Sequence, residues 1–344
     1  MDCPSLTRRV GIFQTTPALK KEAIVQWPNM VEQLSQLFPP SVPNSYLFQW
    51  LLYLSCFISP RKKPDRSMTI KVDDIPNPSP SQLAELPRQI GFVPSKIAST
   101  STLSSLQIQQ YNERGYVMPF NGLDATEARE LRAFFDGVLA AFIELGRTSY
   151  SINTAHLRFA RIYRLVQHSK IVDAVADLLG PNVVCWGSHF FCKMPHDGKR
   201  VPWHQDSTYW PLSPTKTVTV WLAIDDADPQ NANMKFIPRS HLHGLIDYDV
   251  TKEADTVLDL AVKNPTSYGD DAVDVALKAG QFSMHSDLLL HGSEANESDR
   301  RRCGLTIRYA AADVTTWFEW HKKGFVVRGK NVSGQWANPP MPNH

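Results

Sequence analysis

The chain has 344 residues, of which 42% are hydrophobic and 20% charged; it is longer than one compact domain needs and has the mixture of a globular protein with a substantial core. Its formal net charge is only +2 and no long basic stripe runs through it, so no nucleic-acid partner is expected. The cysteines Cys3, Cys56, Cys185, Cys192 and Cys303 form neither a CxxC pair nor a dense framework; this argues against a disulfide-stapled secreted fold and makes a reducing, cytoplasmic setting the expectation.

Residues 1–100 read as an N-terminal extension. Ten prolines between Pro39 and Pro94 interrupt any helical period. Such a stretch buries too little apolar surface to offset its ordering entropy, so a poorly ordered segment is expected. Met68 lies within it as a candidate internal start. The apolar stretch 46–58 contains Gln49 and Ser55, is short for a bilayer span and precedes Arg61, Lys62 and Lys63. A buried helix or a leader explains it as well as an anchor does, and no membrane partner is expected. The C-terminal Pro342-Asn343-His344 does not match a peroxisomal address.

The folded domain is expected over residues 101–344. Leu106, Ile108 and Tyr111 ahead of Gly115 indicate a short helix with a glycine stop, and Tyr116-Val117-Met118-Pro119 a first strand. The clearest helix covers 125–145. Leu131, Phe134, Phe135, Val138, Leu139 and Phe142 share one face there, with Asp124 or Thr126 as cap and Gly146 as terminator. A second helix from Lys170 ends at Gly180-Pro181. Beyond Asn182, short apolar runs at 183–194, 217–224, 234–237, 281–285 and 304–311 predict a closed or sandwiched antiparallel sheet. Residues 250–280 read as a helical and loop insertion, and there is no internal repeat.

The stretch Trp203-His204-Gln205-Asp206 carries the chemistry. On an extended backbone, residues i and i+2 share a face, so His204 and Asp206 can offer a nitrogen and an oxygen to one ion. Two histidines and a carboxylate on one octahedral face leave three positions open, as non-haem Fe(II) oxygenases require. A chelating co-substrate fills two of these and O2 the third. A lone HxD is a weak signal, and a second occurs at His285-Ser286-Asp287. His285, Asp287 and His291 share strand parity, but residues six apart on a strand are separated by roughly 20 Å. His285 therefore reads as a core histidine or one packed behind the ligands.

Downstream come Leu288-Leu289-Leu290-His291-Gly292-Ser293, Asn296, Ser298 and Arg300-Arg301-Arg302. Segments 203–210, 221–226, Pro238-Arg239-Ser240-His241 and 291–302, in that order, resemble the phytanoyl-CoA dioxygenase family over roughly residues 105–320. The resemblance implies a mainly β protein with flanking helices around a double-stranded β-helix (jelly-roll, cupin-like) core. It implies Fe(II), 2-oxoglutarate as co-substrate, O2, and ascorbate as a supporting reductant. His204, Asp206 and His291 would be the metal ligands, with no catalytic residue beyond them. Arg302 would bind the far carboxylate of 2-oxoglutarate, and Ser293 and Trp221 would line that site. A planar guanidinium suits a carboxylate held bidentately. Arg300 and Arg301 then read as surface charges, and Arg308 is the rival anchor.

The chain departs from the family pattern at two turns, Asn231-Ala232-Asn233 and Pro238-Arg239. His189, Phe191, Tyr209 and Trp210 are candidates for the pocket wall. The expected reaction is hydroxylation of an unactivated C–H in a small organic substrate, such as a lipid-like or secondary-metabolite intermediate, with release of succinate and CO2. A monomer or weak homo-oligomer is expected. Desaturation on the same iron is the nearest alternative. A halogenase would lack Asp206, a zinc enzyme would not need Arg302, and a decayed, non-enzymatic binding barrel would not retain all four residues.

Overall fold

The computed structural model of the chain describes residues 75, 77–97, 100–251 and 253–343. Expectations for residues 1–74, including the apolar stretch 46–58, Met68, Cys3 and Cys56, lie outside the described residues.

Regular structure begins before residue 100. Ser79 and Gln82 form a reciprocal cap on a short helix, α1 (Pro80–Ala84). Arg88 then donates from Nη1 to the carbonyls of Ser207 and Trp210, each at 2.9 Å. The Gln89 N–H donates to Ser213 Oγ and the Ser95 N–H to Asn112 Oδ1, both at 2.8 Å. Residues 77–97 are thus placed against the folded domain. Beyond α1 the segment is extended chain, held by partners 17 to 124 residues away in sequence.

Helix α2 (Ser105–Arg114) stops at Gly115, whose φ of +85° favours glycine. In α3 (Ala125–Glu144), Asp124 accepts the N–H groups of Thr126 and Glu127 while the Glu127 carboxylate reaches back. At the other end, Gly146 and Arg147 donate to the carbonyls of Ile143 and Phe142 at 2.9 Å, a Schellman closure. Leu131, Phe135, Leu139 and Phe142 form its buried face, with the Phe135 and Phe190 rings 4.7 Å apart. Two further helices follow, α4 (Ala160–Leu165) and α5 (Ser169–Leu179). The first was not expected, because six residues are too few to show a period.

Strands are numbered in chain order. One sheet has six, in the spatial order β1 (Tyr116–Asn121), β10 (Gln281–Ser286), β5 (Thr217–Ala223), β12 (Arg302–Ala311), β2 (Val183–Lys193) and β14 (Phe325–Arg328). The second has four: β3 (Val201–His204), β11 (His291–Ser293), β6 (Lys235–Phe236) and β9 (Val273–Asp274). All pairings are antiparallel, and strands distant in sequence are neighbours, the jelly-roll arrangement that was expected. Two small antiparallel pairs, β4 (Leu212–Ser213) with β13 (Thr315–Thr316), and β7 (Tyr248–Val250) with β8 (Leu260–Val262), complete the described fold.

The large sheet is buried on both faces. Val218, Val220 and Leu222 of β5, and Cys303, Leu305, Ile307 and Tyr309 of β12, join the core that includes residues of α3 and α5. Their alternates, Thr219, Trp221, Arg302, Thr306 and Arg308, line a cavity. Cys185 and Cys192 sit in that core as small hydrophobes.

The insertion at 250–280 contains no α-helix; it holds β8, a one-turn 3-10 segment (Pro265–Tyr268) and β9. Leu260 and Val262 are buried on either side of half-buried Ala261, a period of two that outweighed the helical reading. No helix among the described residues is long and apolar enough to cross a membrane.

Candidate metal centre

Strand register brings two histidines together. His204, the last residue of β3, lies opposite His291, the first of β11, with ring centroids 4.1 Å apart. Asp206 begins a 3-10 turn, Asp206–Thr208. It is therefore the turn, rather than two same-face positions on one strand, that returns its carboxylate to the histidines. Gln205 between them is fully buried. Its amide donates to the carbonyls of Gly244 and Leu288, and its oxygen accepts the Ile246 N–H. That side chain locks the turn in place.

One donor atom from each of His204, Asp206 and His291 lies within 4.8 Å of the others. His204 Nδ1 is 2.8 Å from the Pro202 carbonyl and His291 Nδ1 is 2.9 Å from that of Leu289. A carbonyl only accepts, so each Nδ1 carries the proton and each Nε2 presents a lone pair to the cluster. Thr219 donates to Asp206 Oδ2 at 3.0 Å, leaving Oδ1 for an ion. Burial pushes the His204 imidazole down to about 3, with His291 adding to the effect, so it is neutral as a ligand must be. Burial alone would raise the Asp206 carboxyl. The surrounding His291, Arg308, His204 and His285 outweigh it and hold the group below the usual carboxylate range. Two neutral nitrogens and one carboxylate within this span suit a ferrous ion.

His285 lines the same cavity without completing the cluster. Its ring is 4.8 Å from that of His291 and its Nε2 4.0 Å from Asp206 Oδ2. Asp287 points elsewhere; burial pushes its carboxyl up to about 7, and its backbone carbonyl accepts the Ser207 N–H. The second HxD is thus divided between a cavity-wall histidine and a structural aspartate.

At the other end of the cavity lies Arg302, 2% exposed. Its Nη2 donates to Ser293 Oγ at 3.1 Å, its Nε to the Ala232 carbonyl at 3.0 Å, and the guanidinium lies 5.8 Å from the Trp221 ring centre. A Cβ on Gly304 would fall 2.1 Å from the Trp221 ring, so glycine is what lets that indole lie along β12. The two groups share one cavity. Arg302, Ser293, Trp221 and the three metal-site residues all line it.

The neighbouring arginines turn away. Arg300 pairs with Asp228 at 2.6 Å. Arg301 bonds both oxygens of Asp225, at 2.7 and 2.9 Å, and Asp136 at 2.6 Å, over the Phe135 ring. With a side chain only 14% exposed, Arg301 is not the surface charge expected. The loop between Ser293 and Arg302 is shaped by Asn296, which donates to the Met194 and Arg300 carbonyls and accepts from Ser298.

Both departures from the family pattern keep a glycine-like backbone: φ is +59° at Ala232 and +71° at Arg239. Of the four candidate wall residues, only Phe191 lines the cavity. His189 bonds the Tyr150 carbonyl at 2.8 Å and stacks on Phe191. Tyr209 stands beside His204 with ring centroids 6.2 Å apart, and Trp210 packs on Trp186. Sequence reasoning missed Thr219 and Thr306, whose only signal was strand parity with Trp221 and Arg302. It also missed Lys193, a fully buried amine that donates to the Lys199 and Glu294 carbonyls beneath the Ser293 loop. Burial, then Arg302, push that amine down to about 7.

The phytanoyl-CoA dioxygenase family model matches residues 111–304, more than half of the chain. The chain is similar to a protein of Stutzerimonas stutzeri named "probable alpha-ketoglutarate-dependent hypophosphite dioxygenase", with 31% identity over 169 residues, 47% of this chain and 57% of that protein. To phytanoyl-CoA dioxygenase domain-containing protein 1 of Bos taurus it is 32% identical over 161 residues, 45% and 55% of the two chains. The matched region thus spans a little over half the length of these curated relatives. Among solved structures, the non-heme monooxygenase ThoJ superposes with a TM-score of 0.58 at 28% identity, covering 68% of this chain and 88% of that one. EctD from S. alaskensis with bound Fe superposes at 0.55 and 19% identity, covering 70% and 90%, a likeness of fold.

Proposed function

The chain belongs to the phytanoyl-CoA dioxygenase family, and we propose on that basis that it is an Fe(II)- and 2-oxoglutarate-dependent oxygenase that oxidises a C–H bond of a small organic substrate. One observation carries the reading. A two-histidine, one-carboxylate cluster and a buried arginine–serine pair line a single cavity. A zinc hydrolase would use the first and have no need of the second.

His204 and His291 would hold the ion through Nε2, and Asp206 would do so through its carboxylate. Iron bound with a 2-oxo acid and O2 supplies the oxidative decarboxylation to succinate and CO2 that drives attack on an unactivated C–H. The chain's own residues bind, orient and exclude water. Arg302 takes the far carboxylate of 2-oxoglutarate in charge-assisted hydrogen bonds, with Ser293 Oγ completing the cradle. Trp221, Phe191 and Met234 wall the cavity and lower the local dielectric, which strengthens the ion pair with Arg302. Asp206 would take the coordination position that a halide needs, which argues against halogenation. Hydroxylation is the proposed outcome, with desaturation as the alternative on the same centre. One relative is named for hypophosphite and the family for phytanoyl-CoA, so family membership leaves a wide range of substrates.

The test is succinate release from 2-oxoglutarate with Fe(II), ascorbate and O2, across a panel of small organic acids, thioesters and alkyl or aryl compounds. Succinate should appear only with added Fe(II) and rise with a matching substrate. No iron-dependent succinate under any condition would contradict the reading.

A further inference from the structure

Arg308 is the one charged residue of this cavity that the proposed chemistry leaves unused. It stands on the cavity face of β12, six residues beyond Arg302 and therefore roughly 20 Å along the strand. Its register partners are Thr219 on β5 and Gly187 on β2. Thr219 is the residue that bonds Asp206, so Arg308 occupies the rung of the metal site, well away from the arginine–serine cradle. Among the described residues no carboxylate comes within 4.0 Å of its guanidinium, and its Nε is buried without a hydrogen-bond partner. Two indoles flank it instead, with the guanidinium carbon 5.2 Å from the Trp210 ring centre and 5.9 Å from that of Trp186. The Cβ that Gly187 lacks would fall 3.1 Å from Arg308 Cδ, so that glycine provides space for the arginine stem.

A half-buried cation that feels Asp206 only at a distance, with no carboxylate in contact, is costly unless something supplies the charge. The charge balance of the loaded site points the same way. A ferrous ion, Asp206, Arg302, Arg308 and the co-substrate dianion together leave one positive charge uncompensated. Stacking on indoles orients a guanidinium but does not neutralise it; it fixes a planar fork ready for an oxyanion. We propose that Arg308 binds an anionic group of the primary substrate, a carboxylate, phosphonate or sulfonate, on the metal-site rung of the cavity. The substrate class is then a small acid, tethered by its oxyanion beside the metal. The proposal rests on the oxygenase reading for the identity of the site.

The experiment uses the full chain as its anaerobic complex with Fe(II) and saturating 2-oxoglutarate, which occupies Arg302. Acetate, methylphosphonate and benzoate are titrated against the neutral probes acetamide and benzamide, with the visible charge-transfer band as readout. At least one oxyanion should shift the band saturably, with an affinity about tenfold or more above that of its neutral counterpart. Arg308→Gln should remove that preference, and Arg308→Lys should retain part of it. Gly187→Ala, which crowds the arginine stem and keeps the charge, should weaken oxyanions selectively. It also gives a second reading if Arg308→Gln fails to fold. Equal affinity for neutral and anionic probes, a preference that survives in Arg308→Gln, or loss of the band through displacement of 2-oxoglutarate would each overturn the proposal. If the wild type forms no band, the oxygenase reading has failed. Quenching of tryptophan fluorescence by the same probes would then still decide whether Arg308 binds oxyanions.

Discussion

His204 and His291 owe the tautomer suited to the proposed metal site to backbone carbonyls. The Pro202 and Leu289 oxygens fix the proton on Nδ1 of each ring, and the freed Nε2 atoms face each other across a strand pair. The same attention to partners separates the three consecutive arginines. Arg302→Ala should raise the 2-oxoglutarate requirement of succinate formation steeply, because losing a charge-assisted bidentate contact costs about 2–4 kcal/mol, on the order of 30- to 1000-fold. Arg300→Ala removes an exposed pair and should change little. Arg301→Ala should instead lower thermal stability while leaving that requirement unaltered, since the buried Asp225 carboxylate keeps only the largely exposed Arg132 as ion-pair partner, at 3.1 Å. A steep 2-oxoglutarate effect in Arg308→Ala in place of Arg302→Ala would move the anchor to the opposite end of the cavity. The burial of Arg301 was not legible in the sequence. Its partners lie 76 and 165 residues away, and a triple-arginine run after a turn reads as solvated charge.

At the scale of elements, α3 was legible to within a residue because its apolar face repeats over three turns and both ends carry caps. The long strands were legible as apolar runs. Their division into a core face and a cavity face was not read, although Thr217 and Thr219 alternate with Val218 and Val220 in β5, and Arg302, Thr306 and Arg308 with Cys303, Leu305 and Ile307 in β12. The strands that carry the two histidines are four and three residues long, too short for any period, and both went unread; only the order of motifs marked the ligands. The turns that depart from the family pattern give a test at this scale. Ala232 and Arg239 hold left-handed backbone at positions where the family tends to have glycine, which costs a non-glycine residue roughly 1–2 kcal/mol. Ala232→Gly and Arg239→Gly should each raise the unfolding free energy by up to about 1 kcal/mol, the greater flexibility of unfolded glycine returning part of the gain. The exposed Arg239–Asp270 contact at 3.9 Å contributes too little to reverse the sign. A clear loss of stability in chemical denaturation would show that these side chains do more than occupy a turn.

At the scale of the molecule, a six-stranded sheet separates a helix-covered core from a cavity closed by the second sheet. The segment 77–97 belongs to that architecture. Arg88 ties together Ser207 and Trp210, the ends of the stretch that follows Asp206, and Leu83 is buried. A chain beginning at Met68 should therefore bind Fe(II) and 2-oxoglutarate as the full chain does. One beginning at Ser101 should melt earlier and hold metal less tightly, because hydrogen bonds from a charged donor are worth about 1.5–3 kcal/mol each. Equal melting and equal metal affinity in the two truncations would mean that the segment rests on the domain without supporting it. These contacts were not legible in the sequence, because the anchors are backbone carbonyls and single Ser and Asn side chains that no local pattern reveals.

The most direct test of the metal assignment is the visible charge-transfer band of the anaerobic Fe(II)·2-oxoglutarate complex, recorded for alanine variants of His204, Asp206, His291, His285 and Asp287. Removing any of the first three leaves two protein donors, so the band and the bound iron should be lost together. His285→Ala and Asp287→Ala should keep both, with at most a small shift from the altered surroundings of Asp206 and His291. A band that survives in His204→Ala and disappears in His285→Ala would contradict the assignment of His204, Asp206 and His291 as the metal site.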